Sequence, residues 1–145
     1  MKSLSNVLMV ALLATAGASS SVGCKKENAA PAAKAEAPLT SMSVTDLEAS
    51  IARGDCIPVD ANSDATRKRM GLVPGAVKLS DSETFAASEL PADKSKSLVF
   101  YCGGEQCNAS HVAARRAMAI GYANVKIMSA GISGWVEAGK KVQTL

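Results

Sequence analysis

Apolar and polar positions change their period several times along this chain. Val7 to Ala18 is a run of twelve residues without a charge. From Val44 the period becomes helical: Val44, Leu47 and Ile51 share one face. Ser43 stands before that stripe as a cap, Asp46 is placed to reach back to it, and Gly54 supplies the stop. Cys56-Ile57-Pro58-Val59-Asp60 is short and apolar, the pattern of a buried strand ending at a polar turn. Pro58 argues against a central position, because proline cannot donate to a ladder. Asp64 to Met70 predicts a short helix ended by Gly71, and Ala76 to Leu79 a second short strand. Ser82 to Ser88 predicts a helix, and Pro91 to Ser95 a loop. Ser97-Leu98-Val99-Phe100-Tyr101 is the strongest strand pattern, and it stops at Cys102-Gly103-Gly104. A helix is predicted from Asn108 to Ile120, closed by Gly121. A last strand follows from Asn124 to Met128, then Gly131 and a short helix around Gly134 to Ala138.

Strands that alternate with helices predict an α/β fold built on a mainly parallel sheet. Sheets of this kind carry their sites at the carboxyl ends of strands. Cys102 occupies one such end.

Composition narrows the function classes. With 145 residues, the chain has room for one small domain. Sixteen basic and thirteen acidic residues leave a net charge of +3, and aromatics make up 3%. That is no basic stripe with interleaved aromatics, so nucleic acid is excluded as a partner. Four cysteines are too few and too uneven for a disulfide scaffold. A single histidine excludes histidine-rich metal centres and the two-histidine metalloprotease helix.

The start of the chain has a different character. Lys2 precedes the uncharged run, and Ser19, Ser20, Ser21, Val22 and Gly23 follow it. This is the layout of a secretory signal peptide, whose apolar part spans about 7–15 residues, where a membrane-spanning helix needs about 20. Ser21-Val22-Gly23-Cys24 resembles the lipobox of bacterial lipoproteins, which implies cleavage before Cys24 and lipid on that cysteine. Ser21 departs from the leucine usual at its position. Lys25 to Leu39 holds six alanines, two prolines, three lysines and two glutamates, with no aromatic or β-branched residue. Such a segment buries too little apolar surface to offset the entropy of ordering. The organisation expected is a signal peptide at 1–23, a lipidated Cys24 with a tether through 39, and one domain at 40–145. The protein is then exported and lipid-anchored to a bacterial membrane, facing the periplasm or the cell exterior.

Cys102-Gly103-Gly104-Glu105-Gln106-Cys107 is the segment with the most chemistry. A strand ends, six residues turn, and a helix begins. Two glycines permit backbone angles that let successive amides form an anion nest. The following helix adds the partial positive charge of its first turn. The same field stabilises a thiolate, so Cys102 is the candidate nucleophile and residues 103–107 the candidate cradle. The alternative is a small apolar residue at the end of a core strand.

Leu98 to Val142, LVFYCGGEQCNASHVAARRAMAIGYANVKIMSAGISGWVEAGKKV, resembles the C-terminal half of a rhodanese domain. The features occur in order: a strand ending Tyr101-Cys102, a six-residue loop, a helix followed by Gly121-Tyr122 and Asn124-Val125, then Gly131-Ile132, Gly134-Trp135 and Ala138-Gly139. Val59-Asp60 and Gly71-Leu72-Val73-Pro74-Gly75-Ala76 are similar to the family's aspartate-ended strand and its Gly-His-Ile-Pro-Gly-Ala turn. The resemblance implies a central, mainly parallel sheet flanked by helices on both faces. It implies a sulfurtransferase in which Cys102 takes sulfane sulfur as a persulfide, residues 103–107 hold it, and a thiol or other thiophilic acceptor removes it. No cofactor or metal is implied.

The departures carry expectations of their own. Asp60-Ala61-Asn62 stands where the family often has Asp-x-Arg, so a buried charge pair is expected to be lost. Glu105 is acidic and the loop has no Lys or Arg. A carboxylate near a dianionic donor costs about 1 kcal/mol or more at an effective dielectric of about 20, which disfavours thiosulfate. Cys107 is either a resolving thiol, giving a redox protein that uses Cys102 and Cys107, or an apolar residue at the helix start. A non-catalytic binding module is the third reading. Cys56 reads as core, Trp135 as a packing anchor, Arg115-Arg116 as a solvated face and His111 as a surface or capping residue. Cys102, Cys107 and His111 have no recognised metal spacing. Position 108 is Asn, which excludes the related phosphatase motif.

Overall fold

The structure, a computed structural model, describes residues 38–145. The expected signal peptide, Cys24 and all of the tether except Pro38 and Leu39 lie outside the described residues. Among the described residues the chain forms strands β1 (Thr40–Ser41), β2 (Ile57–Asp60), β3 (Val77–Lys78), β4 (Leu98–Tyr101) and β5 (Val125–Ile127). Helices α1 (Val44–Arg53), α2 (Asp64–Met70), α3 (Ala109–Ala119) and α4 (Gly131–Glu137) connect or follow them. None of these helices is long and apolar enough to cross a membrane.

The strands form one five-stranded parallel sheet in the order β1-β5-β4-β2-β3, an α/β fold as expected. β4 lies at its centre, with all four residues buried. Alternation along β4 divides the core into two layers. Leu98 and Phe100 pack with Val59, Leu79, Phe85, Ala113 and Ala117 on the α3 side. Val99 and Tyr101 pack with Leu47, Met128, Ile132 and Trp135 on the side of α1 and α4. Leu39 packs against the first layer.

Local signals explain most of the elements. The Ser43 side chain accepts from the Asp46 amide, and Gly54 closes α1 at φ 74°. Ser63 caps α2 in the same way through Thr66. Pro58 fits inside the sheet because of strand parity. Ile57 and Ala61 donate to Ser97 and Tyr101 on the β4 side, so the ring nitrogen of Pro58 faces the other edge. There β3 starts only opposite Val59, and no ladder bond is lost.

Two expectations are corrected. Residues 82–88 form turns and a short 3-10 segment, Ala87–Glu89, in place of a helix. The Asp81 carboxylate accepts from the amides of Glu83 and Thr84, and Glu89 accepts from those of Ser80 and Ala86. These side chains take the amides that an α-helix would have used. The charge pair at Asp60 is also present. Arg67 of α2 supplies the guanidinium, 3.2 Å from the Asp60 carboxylate, with side chains 5% and 0% exposed.

Candidate active site

Cys102 follows β4 directly and is 1% exposed. The loop after it is clamped to the start of α4. Ile132 donates to the Cys102 carbonyl at 2.8 Å, and Ser133 to that of Gly103 at 3.0 Å. The loop can lie this close because position 131 is glycine. A Cβ there would meet the Gly104 nitrogen at 2.5 Å and the Cys102 oxygen at 2.6 Å, and its φ of +62° is one that side chains resist. Cys107 donates to the Gly104 carbonyl at 2.9 Å and closes the turn.

Among the described residues, the amides of Gly103, Gly104, Glu105 and Gln106 donate to no protein acceptor. With Cys107 and Ser133, these four residues line a hollow of about 370 Å³. The first turn of α3 begins just beyond. Uncommitted amides and a helix N-terminus form a field that favours an anion. A larger hollow of about 400 Å³ between α1 and the C-terminal segment is lined by Trp135, Lys140 and Lys141 and holds no nucleophile.

Cys102 and Cys107 form a disulfide, with α-carbons 6.2 Å apart. The Ser110 hydroxyl, buried on α3, lies 3.4 Å from Cys102 Sγ. A disulfide sulfur has no proton, so the hydroxyl is the donor in this pair. The Cys107 carbonyl oxygen is 3.1 Å from the same sulfur and can accept from the Cys102 thiol in the reduced protein. Glu105 is exposed at the mouth of the loop. Glu105 and Glu137 both line a neighbouring hollow of about 270 Å³ that has no basic residue in its wall. The loop therefore opens onto an acidic rim.

Asn62 belongs to the site although its pattern pointed only to a missing arginine. Its backbone amide donates to the Asp60 carboxylate at 2.6 Å, and the residue is 9% exposed. Oδ1 lies 3.8 Å from the place of a Cβ on Gly103, and Nδ2 is buried with no partner among the described residues. The signal available in the sequence was its position two residues after a strand-ending aspartate.

The remaining candidates lie elsewhere. Cys56 is a free, buried thiol in the layer of α1 and α4. Burial first, and then the Asp55 carboxylate, push its pKa up. Trp135 is 2% exposed and donates to the Lys141 carbonyl at 2.8 Å. Arg116 is half-buried where a solvated face was expected: Nε and Nη2 donate to the Phe85 carbonyl at 3.1 and 2.9 Å, and the guanidinium stacks on that ring. His111 keeps Nδ1 buried without a partner among the described residues. Among the described residues, no three His, Cys, Asp or Glu side chains are grouped to hold a metal ion.

A five-stranded parallel sheet with a thiol and an amide-rich loop after its central strand defines an α/β domain with a strand-end thiol site. The sequence profile of the rhodanese-like domain matches residues 43–138, and the chain belongs to that family. No curated protein matches the chain. Among solved structures, the BH2092 protein of Bacillus halodurans is similar, with a TM-score of 0.63, 24% identity, and coverage of 72% of this chain and 77% of that one. The thiosulfate sulfurtransferase of Pseudomonas aeruginosa gives a TM-score of 0.60 and 20% identity, over 73% of this chain but 20% of that longer protein. The human single-domain sulfurtransferase TSTD1 gives 0.54 and 17%, covering 69% and 97%. Identities this low establish the shared fold.

Proposed function

We propose that the domain is a sulfurtransferase carrying sulfane sulfur as a persulfide on Cys102. The observation that carries the reading is the placement of Cys102. It stands at the carboxyl end of the central strand, at the start of a loop whose next four amides have no acceptor among the described residues and which leads into α3. The Cys102 thiolate attacks the outer sulfur of a donor R–S–SH. The donor S–S bond breaks, and RS⁻ leaves and takes a proton. The loop amides and the α3 terminus stabilise the anionic outer sulfur. An acceptor thiolate then takes that sulfur and returns Cys102 to the thiolate. Sulfurtransferase names among the structural relatives agree with this reading.

The acidic rim of Glu105 and Glu137 favours neutral or cationic donors, such as persulfides of small thiols, over dianionic thiosulfate. Partners are then a small sulfur donor and a thiol acceptor. Lipid at Cys24 holds the domain outside the cell membrane, a placement supported by the uncharged run and Val22-Gly23-Cys24. In the test, reduced Cys107→Ser protein gains one sulfur, about 32 Da, from a small-thiol persulfide, and Cys102→Ser gains none. Loading absent from both variants overturns the reading and leaves a binding module.

The Cys102–Cys107 disulfide favours a second reading, a thiol redox protein. Oxidising compartments outside the cytosol support such bonds. In that case an oxidant forms the bridge and no donor loads sulfur.

A further inference from the structure

We infer that Cys107 discharges the Cys102 persulfide internally, releasing hydrosulfide and leaving the Cys102–Cys107 disulfide as the product. The domain is then a reductase of sulfane sulfur. This rests on the persulfide reading above.

The argument turns on which sulfur Cys107 reaches. A persulfide on Cys102 has an inner sulfur, Sγ, and an outer one. Attack on the outer sulfur only moves it to Cys107. Attack on the inner sulfur expels it. The structure bonds Cys107 Sγ to Cys102 Sγ, the inner position. The α-carbon separation of 6.2 Å lies within the usual disulfide range of about 4.4–6.8 Å, so the loop need not open for the attack. The loop is held in this shape from outside the cysteines. Ile132 and Ser133 bond the Cys102 and Gly103 carbonyls, and Gly131 lets the backbones touch.

The surroundings suit the departing group. The hollow over residues 103–107 has room for hydrosulfide, and its wall carries the uncommitted amides. Hydrosulfide derives from a stronger acid than an alkyl thiol, and the thiolate of the more acidic thiol leaves faster. The acidic rim does not retain it.

The atoms and electrons balance. The Cys107 thiolate forms the new bond to Cys102 Sγ. The bond from Sγ to the outer sulfur breaks, and its electron pair leaves on hydrosulfide, which takes a proton. In sum, the protein dithiol and R–S–SH yield the protein disulfide, R–SH and hydrogen sulfide. Two electrons pass from the cysteines to the sulfane sulfur. An external dithiol reductant restores the cysteines for the next turn.

The test is an anaerobic single turnover with the full-length reduced protein and one equivalent of glutathione persulfide, reading hydrosulfide and intact mass. Wild type should release about one hydrosulfide per chain above the Cys102→Ser background and end about 2 Da lighter, with the bridge mapped to Cys102 and Cys107. Cys107→Ser and Cys107→Ala should release only background and keep about 32 Da on Cys102. Wild type that stays about 32 Da heavier without release overturns the inference and leaves the transfer reading standing. Release from the Cys107 variants equal to wild type has the same consequence. Absence of loading and of release in every form overturns the transfer reading itself. Should the Cys107 variants fail to fold, the wild-type mass and bridge mapping decide alone.

Discussion

Arg67 holds Asp60 at 3.2 Å in an almost fully buried pair, and the same guanidinium donates to the Asp60 and Leu79 carbonyls at 3.1 and 2.8 Å. A fourth contact, to Asp64 at 3.0 Å, ties it to the start of α2. One side chain thus joins the carboxyl ends of β2 and β3 to the helix that follows. The Asp60 carboxylate also fixes the turn that brings Asn62 over Gly103, so the pair supports the site from below.

Removing one partner of such a pair leaves a buried charge. Arg67→Met should destabilise the domain by about 3–5 kcal/mol. Arg67→Lys should not rescue it, because one ammonium cannot span the four acceptors. The exposed pair Arg53–Asp55, at 61% and 55% exposure, sets the contrast: Arg53→Ala should cost between about 0 and 1 kcal/mol. Urea titration of the three variants compares them. Equal losses at Arg67 and Arg53 would show that the buried pair is not what holds β2 and β3.

Gly131 should tolerate no side chain. The obstacles to a Cβ are backbone atoms of Cys102, Gly103 and Gly104, which cannot swing aside. Gly131→Ala should push the loop off α4, and both sulfur loading and bridge formation should fall at least about tenfold, a loss of about 1.4 kcal/mol in the site. Gly139 has a similar φ of +69° but open space around it. Gly139→Ala should cost only the backbone strain of about 1–2 kcal/mol and leave the chemistry intact. Loading rates and thermal melts of the two variants separate the effects.

How far these features were readable depends on the range of the interaction. The α1 boundaries were legible because Ser43, Asp46 and Gly54 act within one turn of the helix they bound. The strand ending at Cys102 was legible because a fully buried strand needs only an apolar run and a glycine stop. The stretch 82–88 was not, because Asp81 and Glu89 capture its amides from just outside the window. Arg67 was hidden for another reason. It sits seven residues after Asp60 on a separate element, and only the packing of α2 brings the two together. Gly131 was visible as a glycine, but the need for one comes from Gly104, which lies 27 positions earlier in the chain. The expected signal peptide and Cys24 lie outside the described residues.

On the proposed sulfur-transfer reading, the charge of Glu105 and Glu137 governs which donors load Cys102. Replacing either with lysine turns a repulsive charge at the rim into an attractive one. Glu105→Lys and Glu137→Lys should each raise the rate of sulfur uptake from thiosulfate about fivefold or more, on an energy change of about 1 kcal/mol. The gain should shrink as salt rises, because the rim is open to solvent. Stopped-flow loading at two ionic strengths checks both points. Unchanged thiosulfate rates would mean that something other than charge excludes this donor.

The thiols should separate by pH. In the fully reduced protein, the amide-rich loop after Cys102, the α3 N-terminus and the Ser110 hydroxyl favour the thiolate, and they work against burial and the Cys107 carbonyl oxygen 3.1 Å from the sulfur. The Cys102 alkylation midpoint should fall below the ordinary value of about 8.5. Cys56 is the internal reference. Burial raises its pKa first and the Asp55 carboxylate adds to that, so its alkylation midpoint should lie above the ordinary thiol value. The sign carries over to stability. A raised folded pKa means that the folded chain holds the Cys56 proton more tightly than the unfolded chain does. That contribution is complete below the unfolded thiol value and disappears as pH rises through the higher folded one. Unfolding free energy should therefore decline on the alkaline side, and less so in Cys56→Ser, which does not titrate there. Peptide mass spectrometry of pulse-alkylated protein from about pH 6 to 10, a range that brackets the ordinary thiol value, gives both midpoints. A Cys56 midpoint at or below that of Cys102 would remove the case for an activated thiol at the end of β4.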